Sequence, residues 1–220
     1  MNSTSDIIEP YKFTEEENSL IKSIRETPGF THTDWGSVRL LDLRRNIRNH
    51  YRKKQKGLCA FCKEPLSLHS SQNCNIEHLL HKSGYIDFIF EPKNLCLLCA
   101  DCNEIKRAQE IINEVPKFTK GAAKKYPRTS ERFLAYHPHF DKWDENIIKF
   151  HKAYIDRTKK GSYTIYICKL NRFFHHFEID DEYINDGELT DLMNNYINEV
   201  DSIKKSRILN NIRSMLNNFK

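Results

Sequence analysis

The chain of 220 residues is long enough to bury a core, either as one large domain or as a small module with flanking helices. It has no run of about 18 apolar residues, and its first ten residues lack the charged and then apolar order of a signal peptide, so the sequence predicts a cytoplasmic protein without a membrane span. The net charge of +5 is too small to indicate a polyanionic partner by itself.

Two helices are predicted in the N-terminal quarter. Thr14 followed three residues later by Glu17 is a capping-box pattern and predicts a helix over about 15–26. A second helix is predicted from about Gly36 to Gln55, because apolar residues recur there at a helical period.

The predicted second helix carries most of the excess positive charge. Between Arg39 and Lys56, eight basic residues stand against the single acid Asp42, which gives this segment a net charge of +7. Such a helix suits contacts with nucleic-acid phosphates, which add affinity without reading the sequence and weaken steeply with salt. An ordinary amphipathic helix with a charged solvent face explains the same pattern, and the sequence leaves both interpretations open.

The central segment changes to short strands followed by one helix. The apolar-rich runs 76–80 and 94–98 suit short antiparallel strands, and residues 102–112 are predicted to form a helix. Residues 113–130 are basic and poor in apolar side chains, so they are predicted to form an exposed connection.

The C-terminal segment is predicted to contain a strand and a helical tail. Residues 162–170 are rich in aromatic and β-branched side chains and give the strongest strand signal in the chain. A helix is predicted to begin within 170–177, and two apolar stripes at a helical period predict further helix over 187–219.

Four of the seven cysteines form two Cys-x-x-Cys pairs, Cys59 with Cys62 and Cys99 with Cys102. In a chain without an export signal, this pattern favours zinc over disulfides. Four thiolate ligands leave no open position for a substrate, so the zinc would be structural. A chance pattern or a redox pair fits less well, since polar residues lie between the pairs and no βαβ pattern surrounds either.

The other three cysteines, Cys74, Cys96 and Cys168, are expected to be plain thiols. Cys96 nevertheless also forms a Cys-x-x-Cys pattern with Cys99. The sequence therefore leaves open whether Cys96 or Cys102 supplies the fourth thiolate.

Polar residues lie between and beside the two cysteine pairs. They occur as Ile-Glu77-His78-Leu in the first predicted strand, as Asn94 before the second, and as Asn103 directly after the last cysteine. Over about residues 58–108, this order and spacing resemble the HNH endonuclease family.

The HNH resemblance implies a ββα-metal core held by a structural zinc site of four cysteines and flanked by N- and C-terminal helices. We therefore expect an α+β protein with three parts: an N-terminal helical segment over 1–57, the nuclease core over 58–112, and a mixed, mainly helical region over 113–220.

The HNH resemblance also implies a role for each polar residue. His78 would be the general base, and Glu77 and Asn103 would bind Mg²⁺ or Mn²⁺, which prefer oxygen ligands. Asn94 would orient His78 and pin the strands, and Lys106 would face the scissile phosphate. Because successive strand residues face opposite sides, Glu77 and His78 can share a site only at a bulge or strand end.

Three positions depart from the commoner family pattern: Glu77 stands where Asp is usual, Asn103 where His is usual, and His81 where Pro is usual. Glu and Asn keep an oxygen donor, although the longer Glu arm alters the geometry. We expect His81 to be either an auxiliary metal or phosphate ligand or, more simply, a solvent-facing residue.

Outside the core, the chain is similar to the HNH nuclease subunit of Septu and retron-associated anti-phage systems. The residues that carry this resemblance are the lead-in Gln55-Lys-Gly57-Leu-Cys59, the run HPHFDKWDENI at 137–147, and Leu170-Asn-Arg. It implies antiviral defence with an ATPase partner that restrains or triggers cleavage.

The substrate and even the activity have alternatives at this stage. DNA is favoured, but structured RNA such as tRNA stays open because the predicted site reads a phosphate and not a base. A non-catalytic zinc module that binds nucleic acid or scaffolds the ATPase is the rival from another class. A restriction-type enzyme would need readout elements that the sequence does not show.

Overall fold

The computed structural model describes residues 7–113, 125–150, 152–173 and 187–218. The helices are α1 (Glu15–Arg25), α2 (Leu41–Lys54), α3 (Ala100–Lys106), α4 (Trp143–Asn146), α5 (Lys159–Cys168), α6 (Gly187–Asn198) and α7 (Ser202–Asn218). The strands are β1 (Asn75–His78), β2 (Leu95–Leu98), β3 (Ile147–Phe150) and β4 (Ala153–Asp156). The predicted α+β class is confirmed. None of the helices in these ranges combines the length and apolarity that a bilayer span needs.

Helix α1 begins with the predicted capping box. The Thr14 side chain accepts from the backbone N–H of Glu17, and the Glu17 carboxylate accepts from the backbone N–H of Thr14. The same carboxylate also accepts from the Tyr11 hydroxyl and from Asn46 Nδ2, both at 2.9 Å. Glu17 therefore caps the N-terminus of α1 and also fixes this helix against α2.

Strands β1 and β2 pair antiparallel, as predicted, and α3 packs on both of them. In this register Glu77 lies opposite Cys96, and His78 lies opposite Leu95. The Gln55 amide extends the pairing, since it accepts from Leu97 N at 2.8 Å and donates to Leu97 O at 2.9 Å. The end of α2 is thereby joined to the sheet.

Helix α3 ends at Lys106, earlier than the predicted end at residue 112. Arg107 adopts a φ of +42°, which an α-helix cannot contain. The helix therefore ends at this residue, and the carboxylate of Glu110 in the segment that follows lies 2.8 Å from His81 Nε2.

The predicted strand over 162–170 is wrong, because these residues form most of α5. The Thr158 hydroxyl caps the helix by accepting from Gly161 N, and Thr164, Ile167 and Cys168 form one buried face at helical spacing. A Cβ atom at Gly161 would lie 1.9 Å from the Asn146 carbonyl oxygen, so the close approach at this end of the helix requires glycine. Burial on a helical face thus outweighs the strand preference of β-branched side chains.

The strands in this part of the chain are β3 and β4, which the sequence analysis did not identify. They pair antiparallel, and the face formed by Ala153 and Ile155 packs against α6 and α7. The helical tail is confirmed within the described residues, with a break between α6 and α7. Its apolar stripes are mostly used in this packing, while Val200 and Ile203 stay exposed.

Two sequence predictions concern residues outside the described ranges. Most of the basic connection predicted over 113–130 falls in 114–124, and half of the segment 170–177, in which a helix start is predicted, falls in 174–177; residues 172 and 173 in the described half are helical. The main hydrophobic cluster draws side chains from Ile8 to Leu170, and the proposed boundaries at 57 and 112 remain predictions.

Candidate active site and cysteine cluster

The four cysteines of the two pairs form one buried cluster. The sulfur atoms of Cys59, Cys62, Cys99 and Cys102 all lie within 4.8 Å of one another, and the Cys62 and Cys99 sulfurs are 3.6 Å apart. A metal bound by four thiolates at about 2.3 Å requires sulfur atoms about 3.8 Å apart in a tetrahedron. The cluster could therefore hold a structural metal such as zinc.

The choice between Cys96 and Cys102 is settled by their positions. Cys102 lies on α3 and belongs to the cluster, whereas Cys96 is buried in β2 opposite Glu77 and outside it. Successive strand residues face opposite sides of a sheet, and this alternation directs Cys96 and Leu97 to different faces.

Backbone hydrogen bonds shape the first cysteine pair into a tight loop against the sheet. Cys59 N donates to Glu64 O at 2.9 Å, and Ala60 N donates to Leu97 O at 3.0 Å. Two distant side chains complete it: Trp143 Nε1 donates to Phe61 O at 2.8 Å, and the Tyr154 hydroxyl donates to Cys62 O at 2.7 Å. No pattern in the sequence predicted these two contacts.

A cleft of about 570 Å³ opens beside the sheet. Its wall contains three of the predicted catalytic or metal-binding residues, Glu77, His78 and Asn103. A strand end was expected here, because Glu77 and His78 could not otherwise share a site. Strand β1 does end at His78, and both residues reach the cleft. Asn94 and Lys106 are completely buried and are not part of its wall.

The ring of His78 is fixed on two sides. Nε2 lies 3.0 Å from the Ile89 carbonyl oxygen, and the Trp35 ring packs edge-on at a centroid distance of 4.6 Å. A carbonyl oxygen only accepts, so Nε2 carries the hydrogen and Nδ1 keeps a lone pair in the neutral ring. Burial lowers the pKa of His78 to about 3, which keeps the ring neutral at physiological pH.

Glu77 presents a carboxylate in a nearly dry environment. Burial raises its pKa, and the Lys106 ammonium, 2.7 Å from Oε1, opposes this effect by stabilising the charged form. Asn103 is half-buried on α3, one helical turn before Lys106. The two predicted metal ligands thus reach the cleft from β1 and α3.

Lys106 does not line the cleft, although a contact with the scissile phosphate would require this position. Its side chain is 0% exposed, and its ammonium donates to Glu77 Oε1. Its spacing of one helical turn after Asn103 had predicted a position at the cleft. Because α3 ends at Lys106 and lies on the sheet, the side chain instead points inward beneath the Glu77 carboxylate.

Asn94 pins the loop that leaves β1. Its Oδ1 accepts from Leu80 N at 2.7 Å, and its Nδ2 donates to the carbonyls of Leu80 and Phe88, both at 3.1 Å. Asn94 was predicted to orient His78, and it does so only indirectly. It fixes the loop whose Ile89 carbonyl lies 3.0 Å from His78 Nε2.

Replacing Asn94 with alanine is expected to lower the free energy of unfolding by about 3–5 kcal/mol, because three buried backbone groups lose their partner. Asn73 is a matched control, since it is exposed and its side chain accepts only from Ala100 N, at 2.8 Å. Denaturant unfolding of both alanine variants measures the difference. A loss below about 1 kcal/mol at both positions would show that Asn94 does not pin the loop.

Basic side chains dominate the charge of the cleft wall. Arg44, Arg48, Lys82 and Arg107 contribute to it, against the acids Glu77 and Glu104. Helix α2 supplies the first two, so part of the predicted basic surface faces the cleft. Arg44 donates to the carbonyls of Trp35 and Ser37, and Arg48 donates to Cys74 O at 3.0 Å.

His81 lies in the same wall with both ring nitrogens engaged. Nε2 is 2.8 Å from the Glu110 carboxylate, and Nδ1 accepts from Gly84 N at 3.1 Å. The Tyr85 hydroxyl donates to the other oxygen of Glu110 at 2.9 Å. Of the two expectations for His81, the solvent-facing position is not found, since the side chain is only 20% exposed, and the role of an auxiliary metal or phosphate ligand stays a prediction.

Within the described ranges, the cysteine cluster is the one group of three or more Cys, His, Asp or Glu ligands arranged to hold a metal ion. Glu77 is therefore not part of such a group in these ranges.

No family model, curated protein or solved structure matches this chain. The HNH resemblance accordingly depends on the residues of the cleft and the cysteine pairs themselves.

Proposed function

We propose that this chain is a metal-dependent HNH endonuclease that hydrolyses phosphodiester bonds, with DNA as the favoured substrate. The supporting observation is that one cleft contains a neutral histidine, a carboxylate, an amide and an excess of basic side chains. Phosphodiester hydrolysis needs a proton acceptor, oxygen ligands for a cation and positive charge around the phosphate.

The residues fit two metals with different functions. Zn²⁺ at the four cysteines would be structural, since four thiolates leave no position for substrate. Glu77 and Asn103 are hard oxygen donors and would hold Mg²⁺ or Mn²⁺. When bound, this cation supplies Lewis-acid stabilisation of the charge that develops on the phosphate oxygens.

His78 is the proposed general base. The hydrogen bond from Nε2 to Ile89 O leaves the Nδ1 lone pair to remove a proton from the attacking water. The hydroxide oxygen forms a bond to phosphorus while the bond from phosphorus to the 3′ oxygen breaks and the 3′ oxygen takes a proton from solvent water, which leaves 5′-phosphate and 3′-hydroxyl ends. A bound phosphate anion favours the charged ring and therefore raises the pKa of His78 when substrate is present.

The basic residues of the wall would bind the phosphates. Arg44 and Arg48 are held in place by backbone carbonyls, so their guanidinium groups are ordered before substrate arrives. Such contacts recognise the backbone and not the bases. This predicts little intrinsic sequence specificity and leaves RNA as the second candidate substrate.

We also propose a role in anti-phage defence with an ATPase partner, on the resemblance of the flanking segments to Septu and retron-associated nucleases. Helices α6 and α7 bury Leu189, Met193 and Ile212, and their other apolar side chains in this cluster are partly buried against them. The exposed residues Val200 and Ile203, at 97% and 66%, then define the part of the tail that a partner could cover.

A cleavage assay tests the proposed function. The full chain is incubated with plasmid DNA and with a tRNA pool, in Mg²⁺, Mn²⁺ or EDTA, with and without the protein encoded beside it. We expect cation-dependent cleavage of the plasmid. Glu77→Gln, which keeps the size of the side chain but removes its charge, is expected to lose activity by at least about 100-fold.

Each outcome of this assay has a distinct meaning. Cleavage of tRNA alone would keep the nuclease and change its substrate. Binding of nucleic acid without cleavage under every condition would favour the non-catalytic zinc module. Undiminished cleavage by zinc-loaded Glu77→Gln protein would contradict the proposed cation site.

A further inference from the structure

The Lys106 ammonium is enclosed by oxygen atoms beneath the cleft. It lies 2.7 Å from Glu77 Oε1, 3.4 Å from the His78 carbonyl and 3.5 Å from the Arg107 carbonyl. An ammonium group has three N–H donors, so each can be directed to one of these acceptors. The side chain is 0% exposed, and its charge therefore depends entirely on these oxygens.

The fold fixes the position of this ammonium. Lys106 is the last residue of α3, the helix that also carries Cys102 and Asn103. The φ of +42° at Arg107 turns the chain so that its carbonyl lies near the ammonium. Lys106 is therefore a fixed positive charge and not a surface side chain that can move away from an arriving ion.

Carboxylate and carbonyl oxygens are also the ligands that hard divalent cations prefer. The Glu77 carboxylate, which would bind such a cation from the cleft side, is already paired with Lys106 on Oε1. A second positive charge at the same carboxylate is repelled by the first, and the repulsion is strong where water is largely excluded.

We propose that the Lys106 ammonium is a built-in competitor for the divalent cation, so that the cation binds tightly only when phosphate oxygens of the substrate join its ligands. This inference rests on the proposed function, because it takes Glu77 and Asn103 as the cation ligands. The anionic phosphate offsets the repulsion between Lys106 and the cation. The protein without nucleic acid is then poor in divalent cation and inert.

Direct Mn²⁺ binding tests this inference without any cleavage. Zinc-loaded wild-type, Lys106→Met and Lys106→Arg proteins are titrated with Mn²⁺ at pH 8 in the absence of nucleic acid, and free Mn²⁺ is measured by electron paramagnetic resonance. Lys106→Met removes the charge and is expected to bind Mn²⁺ at least about tenfold more tightly than wild type. Lys106→Arg keeps the charge and is expected to bind as weakly as wild type.

A phosphorothioate dinucleotide of thymidine serves as the phosphate probe. It is expected to tighten Mn²⁺ binding by at least about tenfold in wild type and by less in Lys106→Met. Equal or weaker Mn²⁺ binding by Lys106→Met would overturn the inference. If that variant fails to retain zinc, the similarly shaped Lys106→Gln decides the question by the same criterion.

Glu77→Gln separates this inference from the proposed function. If Glu77→Gln abolishes Mn²⁺ binding while Lys106→Met leaves it unchanged, the cation site stands and the competition is wrong. If Glu77→Gln binds Mn²⁺ as wild type does, Glu77 is not a cation ligand. Both the cation site of the proposed function and the competition would then be wrong.

Discussion

With zinc at the cysteine cluster, as proposed, replacing Cys99 with serine is expected to prevent zinc binding and to abolish cooperative unfolding. Cys99 supplies one of the four clustered thiols, and its sulfur also accepts from Cys102 N at 3.4 Å at the start of α3. Structural zinc contributes apparent binding free energies of about 10–16 kcal/mol in small zinc domains, more than the whole stability of most domains. Zinc content and denaturant unfolding of the purified protein measure both effects.

Cys96→Ala is the matched control for this substitution. Cys96 is also buried and is three residues away, but it lies outside the cluster. We expect this variant to keep one zinc per chain and to lose only about 1 kcal/mol of stability. One full equivalent of zinc in Cys99→Ser protein, lost again in a double variant with Cys96→Ala, would show that Cys96 can complete the cage.

Replacing His78 with alanine is expected to lower the rate of Mg²⁺-dependent cleavage by about 10²–10⁴, the usual contribution of a general base. The variant also loses the contact between the His78 ring and Trp35. Zinc content and circular dichroism must therefore match wild type before the rates are compared. Single-turnover cleavage of a labelled duplex measures the chemical step apart from product release.

His69→Ala is the control for the loss of a histidine, because His69 is exposed and is not part of the cleft wall. It is expected to cleave at the wild-type rate. Wild-type cleavage by zinc-loaded His78→Ala protein would remove His78 from the mechanism. The water would then have to lose its proton to another group.

The sequence predicted the parts of the site that depend on local spacing. The strand pair around Glu77 and His78, the capping box at Thr14 and the two cysteine pairs all follow from residues close together in the chain. Local patterns of this kind specify which residues meet because turn and strand geometry leaves few alternatives.

The predictions that failed depended on long-range packing. Lys106 has the spacing of a residue facing the cleft, but the early end of α3 directs it under Glu77. The strand predicted around Thr164 is a helix because one helical face finds a buried environment in the folded chain. Neither result can be read from propensity or spacing, since both depend on what the neighbouring elements cover.

The positions of Arg44 and Arg48 in the cleft wall were only partly predictable from the sequence. Their charge identified α2 as basic, but a charged face is compatible with solvent or with phosphate. Which arginines reach the site depends on how α2 docks, and the sequence signal for that docking was the Gln55 amide that pairs with Leu97. Its role as part of the sheet was not evident from sequence alone.

The two hydrogen bonds from Trp143 and Tyr154 to the first cysteine loop have a consequence for synthesis of the protein. The carbonyls of Phe61 and Cys62 receive these donors only after the chain has been made beyond residue 154. Contacts between residues so distant in sequence form late and slowly in folding. When both cysteine pairs have left the ribosome, the loop at Cys59–Cys62 would therefore bind a metal without the hydrogen bonds from Trp143 and Tyr154. The loop would reach its final conformation only when these later segments pack against it.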